Sequence, residues 1–404
     1  MTTSPLPRVP QDVLDTVSDR IAGVRLPRLV PTAAAATGPA QDRQHSLLNR
    51  WRDGFDWRAI EDRVEALGYH ETTLADGRTL AAIVARADKS TGAPILLIHG
   101  WPDSPLRFLD LIPLLLDAGH DVVAPAIPGF WYSTEPEGEM SRDLAAEDFH
   151  TLMGEVGYSR FAVHAGDWGS AVAQSIAQSH PDSVVALHLT DVPFDLAYTI
   201  DVTDCSPAEA LYLTAIEKFG AGALYLTANT MQPNLIASVL ADTPFGLAAW
   251  LGSLYDAWSD TPIADDHVIA NAAVQYLTGT VRSSMRLYSE PAAGWGADES
   301  DWGTDESDWG ADESGAGSWE GTAAETADAA GDWSDGGADW APARVEIPTA
   351  FALFPADLAM APRELAERFF AVERFTIMPR GGHFAALEEP ALLADDIVGF
   401  LAQL

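Results

Sequence analysis

From Pro94 to the C-terminus, short apolar runs alternate with longer stretches whose apolar residues recur at helical spacing. That alternation predicts βαβ units, a mainly parallel sheet covered by helices. The expected strands are 95–98, 122–124, 161–163, 184–189, 349–354 and 375–378, with a further strand over 80–87 after the Asp76-Gly77 turn. Helices are expected over 141–156 and, closing the chain, 386–401. Ser104-Pro105 reads as a helix start, a capping hydroxyl followed by proline at the first helical position. Upstream, 10–21 has helical spacing, and 47–64 reads as two short helices broken at Gly54.

Five segments follow from this pattern. Residues 1–90 form an N-terminal unit packed on the core, with a Pro/Ala-rich loop near 31–41. Residues 91–191 and 344–404 are the two parts of the α/β core. Between 192 and 290 the alternation stops and helical patterns dominate, so this stretch reads as a helical lid inserted in the core. Residues 291–343 differ in kind. Trp-Gly-(Ala/Thr)-Asp-Glu-Ser-Asp starts at Trp295 and Trp302 and decays at Trp309. Residues 291–340 hold 14 acidic residues, six tryptophans and no basic residue, a composition expected to stay solvated and disordered. Its heptad spacing does not make a coiled coil, because glycine follows each repeat tryptophan and the second apolar position is missing.

Composition narrows the partners. The net charge of -37 argues against nucleic acid and anionic membrane. No run of 18 apolar residues occurs, and the first residues lack a basic region followed by an apolar one. A cytoplasmic protein is expected, with a homo-oligomer left open. The single Cys205 excludes an intrachain disulfide and a multi-cysteine metal site. Lys89 and Lys218 are the only lysines among 23 basic residues, which fits a salt-adapted source or GC-rich codon usage.

The chemistry centres on Phe161-Ala-Val-His-Ala-Gly-Asp-Trp-Gly, where a buried strand runs through a tight turn into a helix. Small residues flank Asp167 as they flank the serine of a nucleophile elbow. The plain alternative is that Asp167 only caps the helix. In the order nucleophile, acid, histidine, Asp167 is followed by Asp357 and then by His383 in Gly381-Gly-His-Phe. Asp191, after the strand that precedes the lid, is the rival acid, although Thr190-Asp-Val-Pro reads better as a turn. An aspartate is ionised at neutral pH and suits displacement at saturated carbon, giving an alkyl ester. His383 could then activate water, with Asp357 holding its tautomer. His99-Gly-Trp-Pro after strand 95–98 offers an oxyanion hole from the amides of Trp101 and Trp168. A halide would leave unaided, whereas an epoxide oxygen needs an acid; Tyr225 and Tyr288 in the lid could supply it.

These motifs carry a family resemblance. The chain resembles the microsomal-type epoxide hydrolases, including juvenile-hormone epoxide hydrolases and bacterial relatives, over nearly everything except 291–343. The resemblance rests on Trp51-Arg-Asp-Gly-Phe-Asp-Trp-Arg-Ala-Ile-Glu, His99-Gly-Trp-Pro, Gly166-Asp-Trp-Gly-Ser and Leu189-Thr-Asp-Val-Pro-Phe. It continues through Tyr276-Leu-Thr-Gly-Thr-Val-Arg-Ser-Ser, Phe354-Pro-Ala-Asp and Pro379-Arg-Gly-Gly-His-Phe-Ala-Ala-Leu-Glu-Glu-Pro. It implies an α/β-hydrolase fold with a helical cap, and an enzyme that opens a hydrophobic epoxide to a vicinal diol without metal or organic cofactor. Asp167 would be the nucleophile, His383 the base, Asp357 its acid partner, and Tyr225 and Tyr288 the donors to the epoxide oxygen. Trp101, Trp168, Tyr225 and Tyr288 would contact the substrate. Unlike the animal microsomal members, no N-terminal membrane anchor is read here. Trp131, in Pro128-Gly-Phe-Trp-Tyr-Ser, stands where the family has glycine and is expected to reshape the pocket mouth. Two rivals stay open, a haloalkane dehalogenase with the same triad and a non-catalytic binding protein on a hydrolase shell.

Overall fold

The computed structural model describes residues 4–28, 41–290 and 343–404. The acidic repeats and all but the last residue of the 31–41 loop lie outside the described residues. Eight strands form one sheet: β1 Tyr69–Thr73, β2 Thr79–Ala85, β3 Ile95–Ile98, β4 Val122–Pro125, β5 Phe161–Ala165, β6 Val184–Leu189, β7 Val345–Leu353 and β8 Phe370–Ile377. Their order is β1-β2-β4-β3-β5-β6-β7-β8. β2 pairs antiparallel with β1 and β4, and every other pairing is parallel. Strands β3 and β5 are buried at every position, as expected of parallel strands covered on both faces.

This order places the chemistry. The chain lays β4 on one side of β3 and then crosses to lay β5 on the other, so the loops after β3 and β5 flank a switch point, where α/β sheets form their ligand crevice. Ile98 faces Ala165 in register, which sets the His99–Pro102 turn beside Asp167. Farther along the same edge, β7 leads to Asp357 and β8 to His383, and a bridge from Ala356 to Gly382 joins those two loops.

Helices begin where the local chemistry asks for them. Ser141 accepts from the Leu144 amide at 3.1 Å to start Arg142–Glu155. A capping box of Ser206 and Glu209 with Pro207 opens Pro207–Gly222. Between β6 and β7 the chain also forms Leu224–Met231, Pro233–Leu240, Pro244–Trp258, Asp265–Thr278 and Val281–Ser289. The N-terminal helix Gln41–Asp53 packs against two of these. Leu47 is wholly buried, and a side chain at Gly252 would come within 3.0 Å of it. Arg43 pairs with Asp256 at 3.1 Å and Arg50 with Asp266 at 2.5 Å.

Three local expectations change. The closing helix is two, Ala385–Glu388 and Pro390–Leu401, because Pro390 lacks an amide proton and starts a new helix. Strand β8 starts at Phe370 rather than Phe375, directly after the helix Arg363–Phe369. Strand β1 was not expected, since Tyr-His-Glu-Thr-Thr is largely polar; it is an edge strand that buries Tyr69 and Thr72.

Candidate active site

Asp167 stands at the N-cap of the helix Trp168–Ser179, yet its side chain makes no capping bond. Its backbone has φ 59°, a conformation non-glycine residues rarely hold without surrounding constraint. The constraint comes from close-packed neighbours. A Cβ at Gly166 would meet Thr190 Oγ1 at 2.2 Å, and one at Gly169 would meet the Ile98 carbonyl at 2.6 Å. A Cβ at Gly100 would lie 2.3 Å from Asp167 Oδ1. Only glycine lets the turn after β3 close on the carboxylate. Asp167 Oδ1 accepts from the Trp101 amide at 2.9 Å. The turn itself is fixed by His99, whose Nε2 accepts from the Ile127 amide at 3.1 Å and whose Nδ1 donates to the Gly100 carbonyl at 2.8 Å. Burial pushes the His99 imidazole down to about 3, so it stays neutral and keeps that tautomer.

His383 is brought to the same point. Its Nδ1 lies 2.7 Å from Asp357 Oδ1, and its Nε2 lies 3.4 Å from Asp167 Oδ2 without a well-formed hydrogen bond. Burial opposes the imidazolium, but Asp357 and Asp167 outweigh it and hold the group well above the ordinary histidine value. Burial would likewise raise the Asp167 carboxyl; His383 and the amides of Trp168 and Trp101 overcome it and hold the acid below the usual range. Asp191 does not face the imidazole through a hydrogen bond. Its Oδ2 accepts from the backbone amide of Asp167 at 2.6 Å. Burial, then the Asp357 charge, push Asp191 up to about 7.

The two tyrosines flank the carboxylate from the helices Leu224–Met231 and Val281–Ser289. Tyr225 stacks on Trp101 with centroids 5.2 Å apart, and Tyr288 meets Trp101 at 5.4 Å and Trp168 at 5.3 Å edge to face. Burial, reinforced for both by the charge of Asp167, raises the two phenols, so they remain donors at neutral pH. A cleft reaches this group, lined by Asp167, Trp168, Tyr225 and Tyr288 at its base and by Phe194, Tyr198, Ile216, Phe219 and Leu226 on its walls. Asp195, paired with Arg142, is the charged group on the wall.

All seven predicted site residues therefore meet at one end of the sheet. Trp131 is a correction. It turns to Tyr69 of β1, 5.4 Å between ring centroids, and does not line the cleft. Sequence reasoning missed Trp258, whose ring meets that of His383 at 5.4 Å and whose carbonyl accepts from the His383 amide at 2.8 Å. It ends an apolar helix and looks like ordinary core. Arg107, buried in the turn after β3 with its Nη2 3.4 Å from the His383 carbonyl, was not singled out either, because a charged residue after a proline turn reads as surface.

Comparison with known proteins bears on the family and the fold. Residues 5–108 match the family described as epoxide hydrolase N terminus, and 93–262 match the alpha/beta hydrolase fold family. A Stigmatella aurantiaca protein named "Putative epoxide hydrolase" is 31% identical, the match covering 70% of this chain and 68% of that one. Epoxide hydrolase 1 of Sus scrofa is 27% identical, covering 89% of this chain and 79% of its own. The structure of Aspergillus niger epoxide hydrolase superimposes with a TM-score of 0.77 at 22% identity, over 100% of this chain and 97% of that one, which shows the shared fold.

Proposed function

This chain belongs to the epoxide hydrolase family and is a hydrolase acting on epoxides; on that premise we propose that it converts a hydrophobic epoxide to a vicinal diol through an ester on Asp167. The observation that carries the reading is the setting of that carboxylate. One oxygen rests on the Trp101 amide, the other faces His383, and two buried phenols line the same cleft.

In the first half-reaction Asp167 Oδ2 attacks an epoxide carbon, and the C–O bond of the ring breaks. Tyr225 and Tyr288 donate to the departing oxygen, which takes the proton of one of them and becomes a hydroxyl, leaving that phenol as a phenolate. The ionised state favoured for Asp167 supplies the nucleophile without a base. In the second half-reaction His383 takes a proton from water, and the hydroxide adds to the ester carbonyl carbon. The amides of Trp101 and Trp168 receive the oxyanion. Collapse breaks the ester bond; the departing alkoxide takes the proton held by His383, the new carboxyl gives its proton back to the phenolate left by the first half-reaction, and the Asp167 carboxylate and the diol result. Esterification removes the charge of Asp167 from beside His383, which lowers its pKa when a base is needed. The apolar walls of the cleft support a hydrophobic substrate.

The test is a single turnover in ¹⁸O water, followed by mass spectrometry of the peptide that contains Asp167. The proposal expects no label in the diol from the first turnover and label in the Asp167 carboxylate. Label in the first diol, with none in that peptide, would mean direct attack by water and end this reading.

A further inference from the structure

The turn after β3 buries an ion pair that the steps above do not use. Asp103 is fully buried and Arg107 is 5% exposed, with Arg107 Nη1 2.8 Å from Asp103 Oδ2. Two apolar residues of like volume would fill such a space without desolvating charge. The pair must therefore be read through what it fastens.

It fastens three segments. Asp103 Oδ1 accepts from the Tyr255 hydroxyl on the helix Pro244–Trp258 and, at 3.3 Å, from Asn271 Nδ2 on the helix Asp265–Thr278. Ser104 donates to Asn271 Oδ1 at 2.8 Å, and Gln275 donates to the Pro102 carbonyl at 2.7 Å. In the other direction, Arg107 Nη2 reaches the His383 carbonyl at 3.4 Å. Its guanidinium also lies 5.9 Å from the Phe384 ring, which packs on Tyr255 at 4.4 Å. The helix that carries Tyr255 ends at Trp258, the acceptor for the His383 amide. The oxyanion turn, the base loop and two helices preceding β7 thus meet at one charge pair.

We propose that Asp103 and Arg107 are positioning residues that hold His383 at its working distance from Asp167, and that they act on hydrolysis of the ester more than on its formation. The inference rests on the reading of His383 as the base. Attack by Asp167 needs only the carboxylate and its facing phenols, whereas ester hydrolysis needs the imidazole correctly set against a water and a carbonyl. A displacement of about 1 Å at such a group costs on the order of 10²-fold in rate.

The pair is also electrically balanced beside the imidazole. The charged or titratable groups around His383 are Asp357 and Asp167 at its two nitrogens, Asp191 from the end of β6 and Asp103 from the turn after β3, with Arg107 of the same turn touching its carbonyl. Neutralising Asp103 leaves a cation beside His383 and lowers its titration midpoint. Neutralising Arg107 removes the charge that opposes burial at Asp103, whose carboxyl burial already pushes up, so that carboxyl takes a proton and the midpoint moves less.

The experiment compares full-length parent, Asp103→Asn, Arg107→Met, Arg107→Lys and the double variant Asp103→Leu/Arg107→Met. Single-turnover mass spectrometry reads ester formation and decay with styrene oxide, and NMR reads the His383 midpoint. Expected are ester decay slowed on the order of 10²-fold in Asp103→Asn and Arg107→Met, with formation changed less than about 3-fold. The midpoint should fall in Asp103→Asn and move less in Arg107→Met, and Arg107→Lys should regain most of the decay rate. The double variant, which carries no unpaired charge, should fold and still decay slowly, so loss of fold in a single variant does not remove the test. Parental decay in the double variant, or equal losses in formation and decay in all variants, would overturn the proposal. An absence of ester in the parent would instead count against the role of Asp167, while the NMR midpoints would still decide on the pair.

Discussion

His383 is fastened to Asp357 through Nδ1 at 2.7 Å, and this turns its Nε2 toward Asp167. The contact fixes which nitrogen carries the proton in the neutral ring, because a carboxylate accepts from Nδ1–H and leaves Nε2 as the free base. Asp357→Asn keeps the size of the side chain and loses both the charge and the choice of tautomer. Under the proposed mechanism the ester still forms and its hydrolysis slows by about 10²–10⁴-fold. Intact-protein mass spectrometry after mixing with epoxide should show the alkylated enzyme accumulating. Rapid turnover with no adduct would remove Asp357 from the mechanism.

The phenols make a second prediction. Tyr225 and Tyr288 both approach Trp101, so loss of one hydroxyl leaves the other near the epoxide oxygen. Tyr225→Phe and Tyr288→Phe singly should slow ester formation by roughly 10-fold or more, and together by about 10²–10⁴-fold, the range of general acid catalysis. Ester hydrolysis should change little. An alkyl halide whose leaving group needs no proton provides the control. Equal loss of adduct formation from epoxide and halide would point to a packing defect instead.

What the sequence revealed divides along physical lines. The parallel strands buried on both faces were legible as apolar runs, unbroken in Ile95–Ile98 and interrupted only by His188 in Val184–Leu189. Edge strand β1 was not, since half its residues face away from the core and its pattern is polar. Asp167, Asp357 and His383, which the fold brings together, could be singled out because each follows a strand in the order that this fold's sites are read. Asp191 looked like a turn residue, yet it holds the Asp167 amide; a backbone contact across parallel strands leaves no local spacing to read. Asp103 and Arg107 lie four apart in a loop, a spacing shared with many solvated surface pairs. Their burial depends on helices more than a hundred residues away in the chain.

Gly100 offers a test of close approach. An added methyl group would lie 2.3 Å from Asp167 Oδ1 and 2.5 Å from its Cβ, well inside contact distance. The neighbour is the strained elbow, not the end of a flexible chain, so Gly100→Ala must move either the carboxylate or the turn. Ester formation is expected to fall on the order of 10²-fold, with a loss of about 1–3 kcal/mol in stability from overpacking. Chemical denaturation and single-turnover kinetics measure the two effects. Parental values for both would show that the turn can open without consequence.

Asp191 yields a pH dependence of stability. Its carboxyl is held up to about 7 by burial and by Asp357, above the ordinary value of 3.8 that it regains on unfolding. A group raised on folding binds its proton more tightly in the native state. Its contribution is thus fully present below pH 4 and is lost as pH rises through about 7. Asp191→Asn resembles the protonated form at every pH and keeps an oxygen for the Asp167 amide. The variant should therefore match the parent below about pH 4, pull ahead of it between about pH 4 and 7, and exceed it above that by roughly a few kcal/mol on the linkage scale. His383 is raised as well and loses its contribution as pH rises, but it does so in both proteins, so the difference between their unfolding curves reports on Asp191. A constant difference from pH 5 to 9 would mean that Asp191 is ionised throughout. The carboxylate beside the nucleophile would then be held by groups other than those described at its position.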